Sequence, residues 1–544
     1  MRTGSMIERE TIEPNRPASG RASTAMFTAP VQLPPRQRRL VTLGIMTGMF
    51  LGALEATVVG TAMPTVVARL GGIEIYSWVF SIYLLTSTVT MPVWGKLSDL
   101  YGRRRFYLLG VGLFLLGSAL CGQSGSMKEL IGFRAIQGLG AGALLPLGMT
   151  IIGDMYSLAE RAKMQGLFSG VWGIASIVGP LVGGLITDHI SWRWVFYFNV
   201  PFGIAAALLI GLTLQEPPME RRVQIDVKGA ASFAGAIVLF LLALMAGGRQ
   251  YEWTSPFILG LMGASLLLLA VFVSCERNAP EPIIPFSLFR ENRMLRAAAL
   301  NGLLAGMAMF GSISFVPLFV QGVIGTNATR AGSVLVPLTL GWTSFSVIGS
   351  RLLLVVGYRP LVIAGMTSLM AGFVMLHQLS PEASWTLIYS DMFLIGMGMG
   401  LSMVTLLIGV QNSVHRRQLG IATSATQFFR VVGGAIGVAI MGTVMTLRMQ
   451  AHVAQARSAS SPMAHEVVRL LQHPDALIDP LARARLPQEM LTLVRGTLAD
   501  ALQGVFLVGL IISGLALLSA FLVPPGRAHE HAIHRESVVP AGDD

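Results

Sequence analysis

The sequence predicts an all-α, polytopic membrane protein with fourteen spanning helices, and three observations carry that prediction. Of 544 residues, 53% are hydrophobic and only 12% are charged, whereas a soluble domain is about a quarter charged. The mean hydropathy is +0.65, and the apolar residues gather into runs of about twenty, the length that crosses the ~30 Å hydrocarbon core of a bilayer. Lys and Arg also alternate between successive loops, as membrane insertion requires.

Residues 1–39 contain Pro, Arg and Thr but no apolar core, so they read as a disordered cytoplasmic tail and not as a signal peptide. The first span, 40–62, follows Arg36, Arg38 and Arg39 and contains Glu55 within "FLGALEATVVGTAMP". The second, 76–98, runs into "GKLSDLYGRRR", and the third, 106–124, begins after those three arginines. The fourth span is 130–153 and the fifth 165–188; the sixth, 194–214, opens in "SWRWVFYFNVPFG". Spans seven and eight, 229–247 and 255–275, are joined by a short connection. Five more runs follow at 296–321, 330–356, 360–379, 386–410 and 420–446, and the last is 499–523, before a tail at 524–544.

With both termini inside, the inner loops hold seventeen Lys and Arg and the short outer loops five. A miscounted helix would scramble that alternation. The long connection 447–498 then lies outside, and its amphipathic stretch from Glu466 suits short helices over the outer face, as a cap or as a solvated spacer. The formal charge of +11 sits in short pieces between apolar runs, which points to the cytoplasmic lipid surface and away from nucleic acid. Cys121 and Cys275 are the only cysteines, so no disulfide framework and no Cys/His metal spacing follows. No metal and no cofactor is expected, and "GLGAG" at 138–142 follows no strand and is no dinucleotide site.

Several polar positions need a reason to be where they are. A carboxylate inside hydrocarbon costs several kcal/mol, so Glu55 calls for a function or a hydrogen-bonding neighbour. Arg134 stands a few residues inside the fourth span, ~6 Å from its outer boundary, where it either snorkels outward or meets a partner. Arg430, ~15 Å deep in the thirteenth span, needs a wet cavity or an acidic partner. Asp391 is within reach of the outer interface, and His377 and Glu74 stand near span ends. In the second loop, Gly95 permits close backbone approach, Asp99 closes a helix and Gly102 allows a tight turn before Arg103 and Arg104. Gly170, Gly173, Ser176, Gly179 and Gly183 make a small-residue stripe along the fifth span, with Pro180 and Gly184 beside it, where another helix can approach closely.

These stretches together resemble the signatures of the major facilitator superfamily. "GKLSDLYGRRR" is similar to its loop between helices two and three, in which the residues at Asp99 and Arg103 latch two bundles together. Arg134, Gln137 and Gly138 match the Arg-x-x-Gln-Gly pattern of its fourth helix. The pattern from Gly170 to Gly179-Pro180-x-x-Gly183-Gly184 resembles that of exporters that exchange substrate for protons. "LEATVVGTAMP", "SWRWVFYFNVPFG" and "TSATQFFRVVGGAIGVAIMG" look like the fourteen-helix drug/proton antiporter branch, although Glu55 stands where that branch usually has Asp. "GSRLLLVVGYR" at 349–359 echoes the second loop without its Asp, as an internal repeat would.

The resemblance implies a major facilitator fold: a six-helix bundle at 40–214, two extra helices with linkers at 215–295, and a second bundle at 296–523. It implies a transporter driven by a proton gradient without a cofactor; a monomer is expected, and the composition and short inner loops suggest a bacterial plasma membrane. Glu55 would carry the proton, with Arg134 tuning its titration. Its cargo would be small amphipathic molecules of multidrug type, cationic if a membrane-embedded carboxylate selects them. Tyr83, Gln137, Trp172, Phe315, Asp391 and Arg430 are candidates to line the substrate cavity. A dedicated metabolite or lipid, an importer, and a sensor that has lost turnover remain the alternatives.

Overall fold

The computed structural model describes residues 33–71, 75, 78–216, 226–248, 251–280, 282–326, 328–458 and 487–526. Most of the two expected tails, Glu74 and residues 459–486 of the long connection lie outside the described residues. Fourteen helices of at least twenty residues make up the described chain: α1 (Pro35–Leu70), α2 (Trp78–Tyr101), α3 (Arg103–Gln123), α4 (Met127–Met155), α5 (Leu158–His189), α6 (Trp194–Thr213) and α7 (Val227–Ala246), then α8 (Pro256–Asn278), α9 (Arg293–Phe319), α10 (Leu335–Val356), α11 (Tyr358–His377), α12 (Trp385–Ser413), α13 (Leu419–Ser458) and α14 (Gln488–Ala520). Twelve of them are long and apolar enough to cross a membrane. The other two are α2, diluted by hydroxyls, and α5, rich in glycine.

Hydrocarbon offers no hydrogen bonds, so a spanning helix must satisfy its polar groups internally. The hydroxyls of α2 do so by bonding back one turn, as Thr86 to Ile82 O, Thr88 to Leu84 O and Thr90 to Thr86 O. Helix starts use local caps: Ser126 accepts from Glu129 N, Asp226 from Gly229 N and Asn292 from Leu295 N. Both α13 and α14 run further into the long connection than the apolar runs suggest, to Ser458 and from Gln488.

Helices α1–α6 share one set of apolar cores, and α9–α14 share another. The α7–α8 hairpin bridges them: Phe233 stacks on Phe272 and on Phe428 of α13, and Leu241 packs with Leu85 and Val89 of α2. Trp253, in the turn of that hairpin, donates to Thr443 Oγ1 at 2.8 Å.

Two features make the halves related. Gly102 joins α2 to α3 at φ 105°, and Gly357 joins α10 to α11 at φ 90°, left-handed conformations that side chains resist. Gly179 and Gly183 of α5 pack on α1, while Gly433 and Gly437 of α13 pack on α9. The same i, i+4 pair thus seats equivalent helices in each half.

The stripe on α5 does not serve one neighbour as its spacing suggests. Nine residues at ~100° each leave Gly170 and Gly179 on opposite faces. Gly179 and Gly183 meet Thr57, Val58 and Thr61 of α1, Gly173 meets Thr343 of α10, and Gly170 and Gly184 have open space. Helix α5 itself runs without interruption from Leu158 to His189, position 180 included.

Candidate functional site

Five helices of the first half converge on Glu55. The chain can bring them that close because α4 presents glycine on two faces: Gly138 and Gly142 lie against the α2 backbone at Tyr83 and Ser87, and Gly140 lies against Gly110 and Phe114 of α3. This is what "GLGAG" does in the fold. From α4, Arg134 Nη1 is ion-paired with Glu55 Oε1 and donates to Gln137 Oε1 at 2.8 Å. Its Nε donates to Val79 O at 3.1 Å, and its guanidinium lies 4.1 Å from the centre of the Tyr83 ring.

The second carboxylate oxygen is held from α6, where Asn199 Nδ2 donates to Glu55 Oε2 at 2.6 Å. Ser118 of α3 closes the network, accepting from Asn199 Nδ2 at 3.0 Å and Gln137 Nε2 at 3.2 Å while donating to Phe196 O at 2.9 Å. Glu55 and Arg134 are each 2% exposed. Arg134 therefore does not snorkel; a buried charge of this kind is tolerated because it is paired and hydrogen-bonded. Asn199 Oδ1 has no hydrogen-bond partner and is enclosed.

A second polar cluster joins the two halves at the end of the molecule that holds Gly102. The Asp99 carboxylate accepts from the backbone N–H groups of Gly420 and Ile421 at 2.9 and 2.8 Å, the free donors of the first turn of α13. Gly95 lies against Gly420 O and Ser424, so α2 and α13 meet backbone to backbone. Arg103 is ion-paired with Asp99, reaches Asp154 Oδ2 at 3.0 Å and donates to Arg416 O at 3.1 Å. Asp154 also takes Arg416 Nε at 3.0 Å, so one carboxylate bridges arginines of both halves. Arg161 Nη1 donates to Asn412 Oδ1 at 3.0 Å beside it.

Behind the cluster, Glu216 Oε1 accepts from the N–H groups of Arg103 and Arg104 at 2.6 and 3.1 Å and caps α3. Burial pushes its pKa above the ordinary carboxylate value against those hydrogen bonds. Arg104 also donates to Gly211 O.

The residues expected to line a cavity separate. Tyr83 and Gln137 belong to the Glu55 network, with Gln137 fully buried, and Phe315 sits in the apolar core of the second half. Trp172 is 38% exposed on α5. Asp391 does not reach an interface: it is 0% exposed and both carboxylate oxygens lack a partner. His377 is half-buried, with Nδ1 3.2 Å from Gln503 O. Arg430 has no carboxylate within salt-bridge distance among the described residues. It is held by Gln427 Oε1 and lies 5.8 Å from the centre of the Trp342 ring. Ser118, Asp154 and Arg416 were not singled out by motif or depth, and Asn199 entered only as one position of "SWRWVFYFNVPFG". Asn199 does stand in "FYFNVP", a carboxamide inside an apolar run, and that polar position is the signal that could have found it.

Comparisons with known proteins agree with this architecture. A family model of the Major Facilitator Superfamily matches residues 45–438. The chain is 38% identical over 509 residues to the multidrug transporter protein MdtP of Bacillus subtilis, covering 90% of this chain and 93% of that one. It is 36% identical to multidrug resistance protein 3 of the same organism, covering 90% and 96%, and 30% identical to the efflux pump dotC of Dothistroma septosporum, covering 89% and 83%. Among solved structures, the human organic anion transporter MFSD10 shares the fold at a TM-score of 0.59 and 15% identity, over 88% of this chain and 100% of that one. With paired helices in two related halves, and a match across most of its length, this chain belongs to the major facilitator superfamily and is a membrane transporter, not an enzyme.

Proposed function

We propose that the protein is a proton-driven exporter of small amphipathic molecules in a bacterial plasma membrane, and that Glu55 carries the proton. The observation that carries this is the Glu55–Arg134 pair, buried where five helices of the half meet. Protonation neutralises Glu55 and releases Arg134 onto Val79 O, Gln137 and the Tyr83 ring, which keep the cation solvated. The O–H so formed finds an acceptor in Asn199 Oδ1 once the amide turns. Proton binding thus exchanges one hydrogen-bonded arrangement for another, and a small bias from substrate decides between them.

The fourteen helices all span, α2 and α5 included, in the manner of the drug/proton antiporters that the multidrug relatives suggest. Both termini lie inside, which places the Asp99–Arg103–Asp154–Arg416 cluster at the cytoplasmic face, and the protein works as a monomer. Those contacts hold that face shut in this conformation. Cationic selectivity by Glu55 needs a carboxylate exposed to cargo; with Arg134 and Asn199 on both its oxygens, Glu55 offers none here.

The test is accumulation of a lipophilic dye in inverted vesicles under an imposed proton gradient. Wild type should concentrate dye only with the gradient, and Glu55→Gln should bind dye yet lose uphill movement. Equal pumping by the variant would move the proton to another group.

A further inference from the structure

We infer that Arg430, with Trp342 and Gln427, is the subsite that binds an acidic group of the cargo, so that this transporter takes anionic amphiphiles. This rests on the transport function proposed above and names its substrate class. The first observation is the place of the guanidinium. Gln427, one turn below Arg430 on α13, donates Nε2 to Met149 Sδ of α4 at 3.2 Å, so this face of α13 looks across the seam to the first half. Trp342 is on α10, which also reaches the first half, through Thr343 Oγ1 donating to Ser169 O at 3.3 Å. Arg430 is therefore between the halves, where alternating access exposes a central site in turn to each side.

The second observation is how the guanidinium is held. Gln427 Oε1 accepts from Arg430 Nε at 3.1 Å and from Nη2 at 2.7 Å, which fixes one edge of the fork. Nη1 makes no hydrogen bond to a described residue, and the side chain is half-buried. The Nη1–Nη2 edge is left free, the edge that grips a carboxylate or sulfonate with two parallel bonds. The Trp342 ring beside it offers an apolar face to the body of the same molecule.

The third observation is charge. A cation at this depth needs water, a ligand or a carboxylate. Glu55 is committed to Arg134, Asp99 to Arg103, and Asp154 to Arg103 and Arg416. Asp391 is fully enclosed with neither oxygen partnered, so it does not reach Arg430. Among the described residues, the charge left for cargo at Arg430 is thus positive, and it repels the cations that a free Glu55 would attract.

Radiolabelled taurocholate, whose sulfonate stays ionised at every working pH, and tetraphenylphosphonium, a permanent cation, separate the possibilities. With purified full-length protein in detergent, wild type should bind taurocholate more tightly than tetraphenylphosphonium. Arg430→Gln should weaken taurocholate by roughly tenfold or more, Arg430→Lys by only a few-fold, and neither should weaken tetraphenylphosphonium. The wild-type preference needs no variant, so a failure of Arg430→Gln to fold leaves the test intact. Preference for tetraphenylphosphonium, binding of neither probe, or a folded Arg430→Gln that keeps its taurocholate affinity would overturn the assignment. Gradient-driven export of tetraphenylphosphonium that ignores Arg430 would sink this inference and keep the transport function. Arg430-dependent taurocholate binding with no gradient-driven movement would do the reverse.

Discussion

Replacing Asp99 by Asn should loosen the closed end of the molecule by an amount that the structure sets. The carboxylate accepts one backbone N–H on each oxygen, from Gly420 and Ile421, and also pairs with Arg103. Asn keeps one acceptor and loses the charge. Breaking a buried pair outright costs about 3–5 kcal/mol, but Asp154 still accepts from Arg103, so the smaller value for one charge-assisted hydrogen bond applies, about 2 kcal/mol. That is roughly thirtyfold in the closed-to-open ratio, enough to take a population that is about 99% closed to about three-quarters closed. Spin labels at Arg105→Cys and His415→Cys, exposed positions on the two sides of the seam, report the change by pulsed dipolar spectroscopy once Cys275 is replaced by Ser. The single short distance of the parent should split into two. One unchanged distance in a folded variant would refute the role given to Asp99.

Two further outcomes test the packing and the cap. Gly138→Val should lower the melting temperature in detergent by the equivalent of about 1–3 kcal/mol, because a Cβ there meets Tyr83 O at 2.6 Å; Gly170→Ala and Gly184→Ala, which meet nothing within 4 Å, should leave it in place or raise it. The raised pKa of Glu216 means that the folded state holds its proton to higher pH than the unfolded chain. Stability is therefore lost as pH rises from the ordinary carboxylate value through the folded one, and melting curves of Glu216→Gln should lack that decline; a decline of the same size in the variant would assign it to another group.

The sequence makes the helices plain, since apolar runs and alternating charge are one-dimensional signals. It also makes Glu55, Arg134, Asp99 and Arg103 conspicuous, because charge inside or beside an apolar run is rare. What completes each site is less visible. Asn199 and Ser118 are neutral polar side chains in apolar helices and disturb neither periodicity nor charge count. Asp154 and Arg416 stand 262 positions apart and look like ordinary loop charges until the halves meet. Depth misleads at Asp391, which is close to a helix end by residue count yet is covered by its neighbours. Spacing misleads on α5, where steps of three residues drift around the helix and put Gly179 and Gly183 on α1, Gly173 on α10 and Gly170 and Gly184 against neither.

Proton release on ligand binding tests the central proposal most directly. Purified protein in weakly buffered detergent, mixed with taurocholate or tetraphenylphosphonium, whichever binds, should release protons as it binds. Glu55→Gln should bind the same molecule and release none. Equal release from wild type and Glu55→Gln would contradict the assignment of the proton to Glu55.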